Sequence, residues 1–241
     1  MKVWGIIVAA GGSQRFGSVV PKQFLEICGR PLLAWTISRF ENAASIDKIA
    51  VVVAEEYLLH TSRKVVDPFG FGKVAKVVIG GETRRQSVLN GLQALPISTG
   101  YVAIHDGARP LVKPDDIDRV VATARAERAA LLAVPATDTV KRARQGFVLN
   151  TLARDSLYLA QTPQVFQYDL IMAAHRGAAS DNGSIGPFTD DAALVEARGF
   201  KVKIVEPSGP NPKVTSRDDL VGVEAVLKRE LDEKPESRPR L

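Results

Sequence analysis

Arg15 and Lys22 flank a glycine-bearing loop, and that loop sets the chemical problem of this sequence. An apolar run from Val3 to Ala10 ends in Gly11-Gly12, and the two cations follow within the same segment. An apolar run of this length bounded by glycine reads as a buried strand of a parallel sheet. Ligands of such sheets collect beyond the carboxyl ends of the strands. Glycines there let backbone N–H groups come close to a phosphate. With two positive charges in reach, the stretch suits a triphosphate better than a dinucleotide. The spacing agrees: Ser13 breaks G-x-G-x-x-G, and Ser18-Val19 after Gly17 rules out the P-loop pattern.

Four more segments carry chemistry: Gly80 to Ser87, His105 to Arg109, Thr137 to Arg142, and Asn211 to Thr215. The apolar patterning places each at the end of a predicted element. Strands are predicted over Val3–Ala10, Lys48–Ala54, Val74–Ile79, Tyr101–Ile104, Ala129–Val134 and Lys201–Val205. Helices are predicted from Pro31 to Asn42, up to about Val66, from Thr83 to Leu95, Pro114 to Arg128, Tyr168 to Ala179, Asp190 to Arg198, and Arg217 to about Leu231. Strands alternating with helices imply an α/β fold with a doubly wound, mostly parallel sheet. Its strand ends converge on one face, so the loaded loops can share a site. From Ala136 to Gln161 the rhythm breaks into two short strands joined at Gln145-Gly146, a hairpin. A lone hairpin is marginal in water, so it needs something to pack against, and a partner subunit is the economical choice. Ser180 to Pro187 reads as a loop.

Composition bounds the function. The 241 residues are 45% hydrophobic, ample for a packed core, and the formal net charge of +5 favours anionic ligands. The charges are spread out with no Lys/Arg block, which argues against nucleic acid. One cysteine, Cys28, allows no intrachain disulfide or cysteine metal cluster and reads as a buried thiol. No apolar stretch reaches the ~20 residues of a membrane helix, and Met1-Lys2 plus the first run makes a poor signal peptide. A cytoplasmic protein is expected. Asp190 and Asp191 read as first-turn helix acids rather than a metal pair, and no protein-only metal cage is expected. His105 reads as a packed strand-end histidine.

Six motifs in order, A-A-G-G-S-Q-R-F-G with P-K-Q, G-G-E-T-R-R-Q-S-V, H-D-G-A-R-P, D-T-V-K-R, T-P-Q and P-K-V-T, resemble the 2-C-methyl-D-erythritol 4-phosphate cytidylyltransferase family from Val3 to about Leu231. The resemblance implies a Rossmann-like fold of the nucleotide-diphospho-sugar transferase type. It implies one domain over 1–232 with a dimerisation arm at about 137–160; the charged, proline-bearing tail at 233–241 reads as disordered from its composition. It also implies CMP transfer from CTP to a polyol phosphate with release of pyrophosphate, Mg²⁺ as cofactor, and a homodimer whose arm reaches the neighbouring site. Carried over by residue, Arg15, Lys22 and Lys213 are catalytic. Ala9, Ala10, Gly11, Gly12, Gly81, Glu82, Ser87, Asp106 and Gly107 hold the nucleotide. Asp106, Arg109, Thr139, Arg154 and Thr162 hold the second substrate. The family often has aspartate at the Glu82 position and alanine at Gly107. Three other readings stay open: a cytidylyltransferase for another polyol phosphate such as ribitol 5-phosphate, a dinucleotide-dependent oxidoreductase, and a nucleotide-sensing regulator without turnover.

Overall fold

The structure, a computed structural model, describes residues 1–11, 20–180 and 188–233. Along the chain run β1 (Lys2–Val8), β2 (Glu26–Ile27), β3 (Arg30–Pro31), α1 (Leu32–Asn42), β4 (Lys48–Val53), α2 (Leu58–Thr61), β5 (Val74–Ile79), α3 (Arg84–Gln93) and β6 (Thr99–Asp106). There follow α4 (Pro114–Glu127), β7 (Ala129–Pro135), β8 (Lys141–Arg144), β9 (Phe147–Thr151), β10 (Tyr158–Gln167), α5 (Tyr168–Ser180), α6 (Asp191–Glu196), β11 (Lys203–Val205) and α7 (Arg217–Glu233).

Seven strands form one sheet in the order β11-β7-β10-β6-β1-β4-β5. All neighbours are parallel except β10, which runs antiparallel to both β6 and β7. The period-2 alternation of a strand sorts the side chains of β1 between two cores. Val3 and Ile7 pack with Ile37 and Phe40 of α1 and Ile117 and Val121 of α4. Trp4 and Ile6 pack with Val88 and Leu92 of α3 and Ile171 of α5. Each such side chain, at or near full burial, contributes about 1.5–3 kcal/mol. A third cluster seats α7 on α1 through Val223, Leu227, Leu32 and Trp35. From β1 the chain passes to β4 and β5 on one side, then crosses to β6 on the other. The reversal lies between β1 and β6, the point where doubly wound sheets bind ligands.

Four expectations need correction. The sequence reading missed β10, because Pro163 inside the run reads as a strand breaker. The strand tolerates it by a register shift between Ala160 and Gln164. The stretch expected to be helical up to about Val66 is α2 set among short 3₁₀ and π turns from Glu55 to Phe69. Cys28 is half-buried rather than buried, at φ 49° in the β2–β3 turn. Pro31 also sits one residue before the first turn of α1. The hairpin is as expected: Gln145 (φ 51°) and Gly146 (φ 84°) join β8 to β9 through two left-handed residues, the twist that suits a tight antiparallel turn. Gly12, Arg15, the loop at 181–187 and the tail at 234–241 lie outside the described residues; Glu233 closes α7.

Candidate active site

The carboxyl ends of β1, β5 and β6 meet around a cavity of ≈ 300 Å³. Backbone bonds that continue the ladder past each strand fix its rim. Ala9 N–H donates to Val52 O (2.7 Å), Gly80 N–H to Val53 O (2.7 Å) and Gly107 N–H to Val8 O (2.8 Å). Gly80 allows the closest approach: a Cβ there would stand 2.4 Å from Ala10 Cβ and 2.8 Å from Ser87 Oγ. Only glycine lets the end of β5 close against that of β1.

Next to Gly80, the 81–87 segment turns into α3. Thr83 caps the helix by accepting from Gln86 N–H (3.1 Å). Ser87 Oγ accepts from Gly81 N–H at 3.0 Å and faces the carbonyls of Gly81 (3.2 Å) and Thr83 (3.0 Å). The hydroxyl thus fixes the Gly81 peptide and with it the polar edge of the cavity.

Asp106, at the end of β6, is the electrostatic centre. Its Oδ1 lies 3.1 Å from Arg84 Nε; its Oδ2 lies 2.8 Å from Lys213 Nζ and 3.6 Å from Arg109 Nε. Burial alone would raise this carboxyl, but the charges of Arg84, Lys213 and Arg109 outweigh burial and hold it well below the usual carboxylate range. Lys22 reaches the same space from the turn after β1, its Nζ donating to Val214 O at 2.7 Å. Gln23 locks that turn by donating to Ala9 O (2.9 Å).

Behind Asp106 runs a proton-ordered chain. His105 Nε2 faces Arg109 O at 3.0 Å, and a carbonyl only accepts, so Nε2 carries the hydrogen. His105 Nδ1 then accepts from Thr162 Oγ1 (3.0 Å), which itself accepts from Asp106 N–H (3.1 Å). Burial pushes the imidazole down to about 4, in keeping with a neutral ring that holds Asp106 in place.

With this geometry in view, the comparisons with known proteins are specific. The sequence model of the 2-C-methyl-D-erythritol 4-phosphate cytidylyltransferase family matches residues 3–229. The chain belongs to this family. It is 47% identical over 228 residues to a protein of that name from Pelotomaculum thermopropionicum, covering 94% of each chain. It is 44% identical over 234 residues to one from Geobacter metallireducens, covering 96% of this chain and 100% of the relative. Its fold matches the crystal structure of 4-diphosphocytidyl-2C-methyl-D-erythritol synthase from Anaerococcus prevotii with a TM-score of 0.82 at 29% identity, covering 94% of this chain and 96% of that one.

Of the residues that the family resemblance singles out, Ala9, Ala10, Gly11, Lys22, Gly81, Glu82, Ser87, Asp106, Gly107 and Lys213 all line the cavity. Arg109 and Thr162 stand behind the wall. Arg109 donates to Asn211 O (2.7 Å) and pairs with Asp106; Thr162 is buried. Both brace Asp106. Thr139 and Arg154 are exposed on the arm and stand apart from this cavity, with Arg154 NH1 donating to Thr137 O (2.8 Å). At Gly107, where the family often has alanine, a Cβ would lie 2.9 Å from Ala9 Cβ and 3.1 Å from Val8 O, so these neighbours would have to give way.

Sequence reasoning missed Arg84, which lines the cavity and pairs with two carboxylates, Asp106 and Asp191. A signal was present: a cation in the first turn of a helix opposes the dipole, and such a break with local preference marks a residue placed for another purpose. Asp190 caps α6 by accepting from Ala193 N–H, whereas Asp191 turns inward to Arg84. Among the described residues, no cluster of three or more His, Cys, Asp or Glu side chains could cage a metal.

Proposed function

We infer that this chain transfers CMP from CTP to 2-C-methyl-D-erythritol 4-phosphate, giving 4-diphosphocytidyl-2-C-methyl-D-erythritol and pyrophosphate in isoprenoid precursor synthesis. The observation that carries this reading is the convergence of Lys22, Lys213 and Asp106 with the backbone of Ala9–Gly11 and Gly81 on one cavity at the sheet's reversal point, in a chain of this family.

A phosphate oxygen of the polyol phosphate attacks the α-phosphorus of CTP. The new O–P bond forms as the bond to the β-phosphate oxygen breaks, and pyrophosphate leaves in line. A phosphate monoester is already anionic at neutral pH, so no general base is required. Negative charge spreads over the oxygens around phosphorus, and cations held in advance stabilise it more than the ground state. Lys22 and Lys213 are held in that way, on Val214 O and on Asp106. Arg15 adds a third charge from the glycine loop. Asp106, fixed and ionised, faces the ribose side, and the Gly81 peptide set by Ser87 reads cytosine, whose amine donor replaces the carbonyl of uracil.

The cavity's carboxylates are Asp106 and Glu82, and Asp106 is taken up by cations. This donor set suits an Mg²⁺ that keeps water and phosphate ligands rather than one caged by the protein. When bound, the ion neutralises charge on the departing pyrophosphate.

The arm serves a second copy of the chain in a homodimer, with Thr139 and Arg154 completing the neighbour's site. Its support is the exposure of Phe147, Val148, Leu149 and Leu159. No helix among the described residues is long and apolar enough to cross a membrane, and we assign the reaction to the cytoplasm. Pyrophosphate release, measured with four nucleotides and with methylerythritol phosphate or ribitol 5-phosphate, tests the reading. Turnover should require CTP and methylerythritol phosphate. Faster turnover with ribitol 5-phosphate would move the chain to that alcohol, and none with any pair would leave a sensor.

A further inference from the structure

We propose that Asp191 is a positioning residue for CTP, acting through Arg84. The inference rests on the cytidylyltransferase reading and assigns a role to two residues outside the motif-derived site.

Arg84 opens α3 and lines the cavity beside Gly81 and Glu82. Its planar guanidinium bridges two carboxylates from different elements: Nε lies 3.1 Å from Asp106 Oδ1, and NH1 lies 2.8 Å from Asp191 Oδ2. Two charged contacts on one guanidinium set its place, whereas one would leave it free to pivot. Asp191 is suited to act as the fixed end. Its side chain is 1% exposed, and its Oδ1 lies 3.4 Å from Nε2 of His175, a ring equally buried on α5. Asp191 is not needed to cap α6, since Asp190 does that. A buried carboxylate is kept only against a counter-charge, and Arg84 supplies it from the cavity side. The line Asp191, Arg84, Asp106 therefore ties α6 to the cavity wall on which the nucleotide rests.

The consequence is selective. Asp191→Asn keeps the shape of the side chain but removes one anchor, so Arg84 swings about its contact with Asp106 on the nucleotide side. KM for CTP, and the Kd for CTP by calorimetry, should rise roughly tenfold, the effect of one lost charge-assisted contact. KM for the polyol phosphate should stay within about twofold. Asp191→Glu should recover part of the loss. In an Arg84→Met background, Asp191→Asn should add less than about twofold, because a residue that acts through Arg84 has nothing left to act on. A role in packing alone would lower the melting temperature, affect both substrates, and persist in that background.

A wild-type Kd for CTP in Asp191→Asn, or the same tenfold change with Arg84 absent, overturns the proposal. If Asp191→Asn does not fold, Arg84→Lys, which keeps the charge but loses the fork, must show the same CTP-selective loss; a wild-type Kd there overturns it. If the wild-type chain binds CTP but releases no pyrophosphate, the functional reading fails while the calorimetric comparison still decides the role of Asp191. A wild-type chain that binds no CTP overturns both.

Discussion

The cavity and the arm both lie toward the start of β10, where Thr162 meets Asp106 and Tyr158 follows the arm, yet they treat their charged and apolar groups in opposite ways. At the cavity, cations are tied down: Arg84, Arg109 and Lys213 on Asp106, and Lys22 on a backbone carbonyl. On the arm, all of β8 and β9 is exposed, with Phe147 at 78%, Val148 at 62% and Leu149 at 57%, and Arg154 bonds a carbonyl of the arm itself. The first is an arrangement one chain can hold by itself. The second leaves apolar surface uncovered on a two-stranded ribbon, which marks an interaction site. The difference teaches that the cavity's electrostatic order is complete within the single chain, whereas the arm's apolar surface is left uncovered by it.

That contrast can be broken at several points. The largest effect is expected at the cavity. Arg15→Ala and Lys22→Ala should each lower kcat by about a hundredfold or more while CTP affinity changes far less. A matching loss of affinity with unchanged turnover would reduce both to ground-state binders.

Second is the arm. If Arg154 serves the neighbouring subunit while Lys22 serves its own, mixing Lys22→Ala with Arg154→Ala chains should yield heterodimers with one site intact. Random exchange makes about half heterodimers, so activity should climb from near zero to roughly a quarter of wild type. Activity that stays at the mutants' level, with exchange confirmed by native mass spectrometry, would place Arg154 in its own subunit.

A third, smaller effect concerns the brace behind Asp106. His105 is held at about 4, against an ordinary 6.5. The unfolded chain therefore takes up a proton below about pH 6.5 that the folded chain refuses until about pH 4. Stability falls as pH drops through that window, by ~3 kcal/mol in all. Urea midpoints recorded across it should flatten in His105→Gln; an unchanged slope would assign the acid sensitivity elsewhere. The smallest effect is at the rim. Ser87→Ala frees the Gly81 peptide and should reduce the preference for CTP over UTP by roughly 1–3 kcal/mol. Lower stability with selectivity intact would make Ser87 a turn residue only.

What could be read beforehand follows from how local its cause is. The parallel strands and most of their helices were legible because periodicity and glycine punctuation are local, and β5 falls at Val74–Ile79 as expected. The turn at Gln145-Gly146 was legible for the same reason. β10 was not: its identity as a strand depends on β6 and β7 on either side and on a register shift around Pro163. In the same way, the cavity wall from Ala9 to Lys213 was legible from motifs, whereas Arg84 and Asp191 are 107 positions apart and meet only in the fold. Thr162 and Arg109 were found from motifs as residues for the second substrate; that they also brace Asp106 was not legible, because it depends on the hydrogen-bond chain through His105.

The strap from Asn211 to Ser216 has one further consequence. Val214 accepts Lys22 on its carbonyl and donates its N–H to Ala108 O (2.8 Å), and the residue before it is Lys213. One turn on, Asp219 grips Thr215 and Ser216 through three bonds of 2.8 Å, and Ser216 caps Asp219 N–H in return. Both lysines are thus referenced to one residue, Val214, Lys22 through a hydrogen bond and Lys213 as its chain neighbour. A displacement of the strap pulls on both, and the tie of Lys213 to Asp106 at the end of β6 opposes it, so the two charges are set at a separation from each other as well as against the sheet. In-line displacement depends on that separation, because the entering and leaving oxygens lie on opposite sides of one phosphorus.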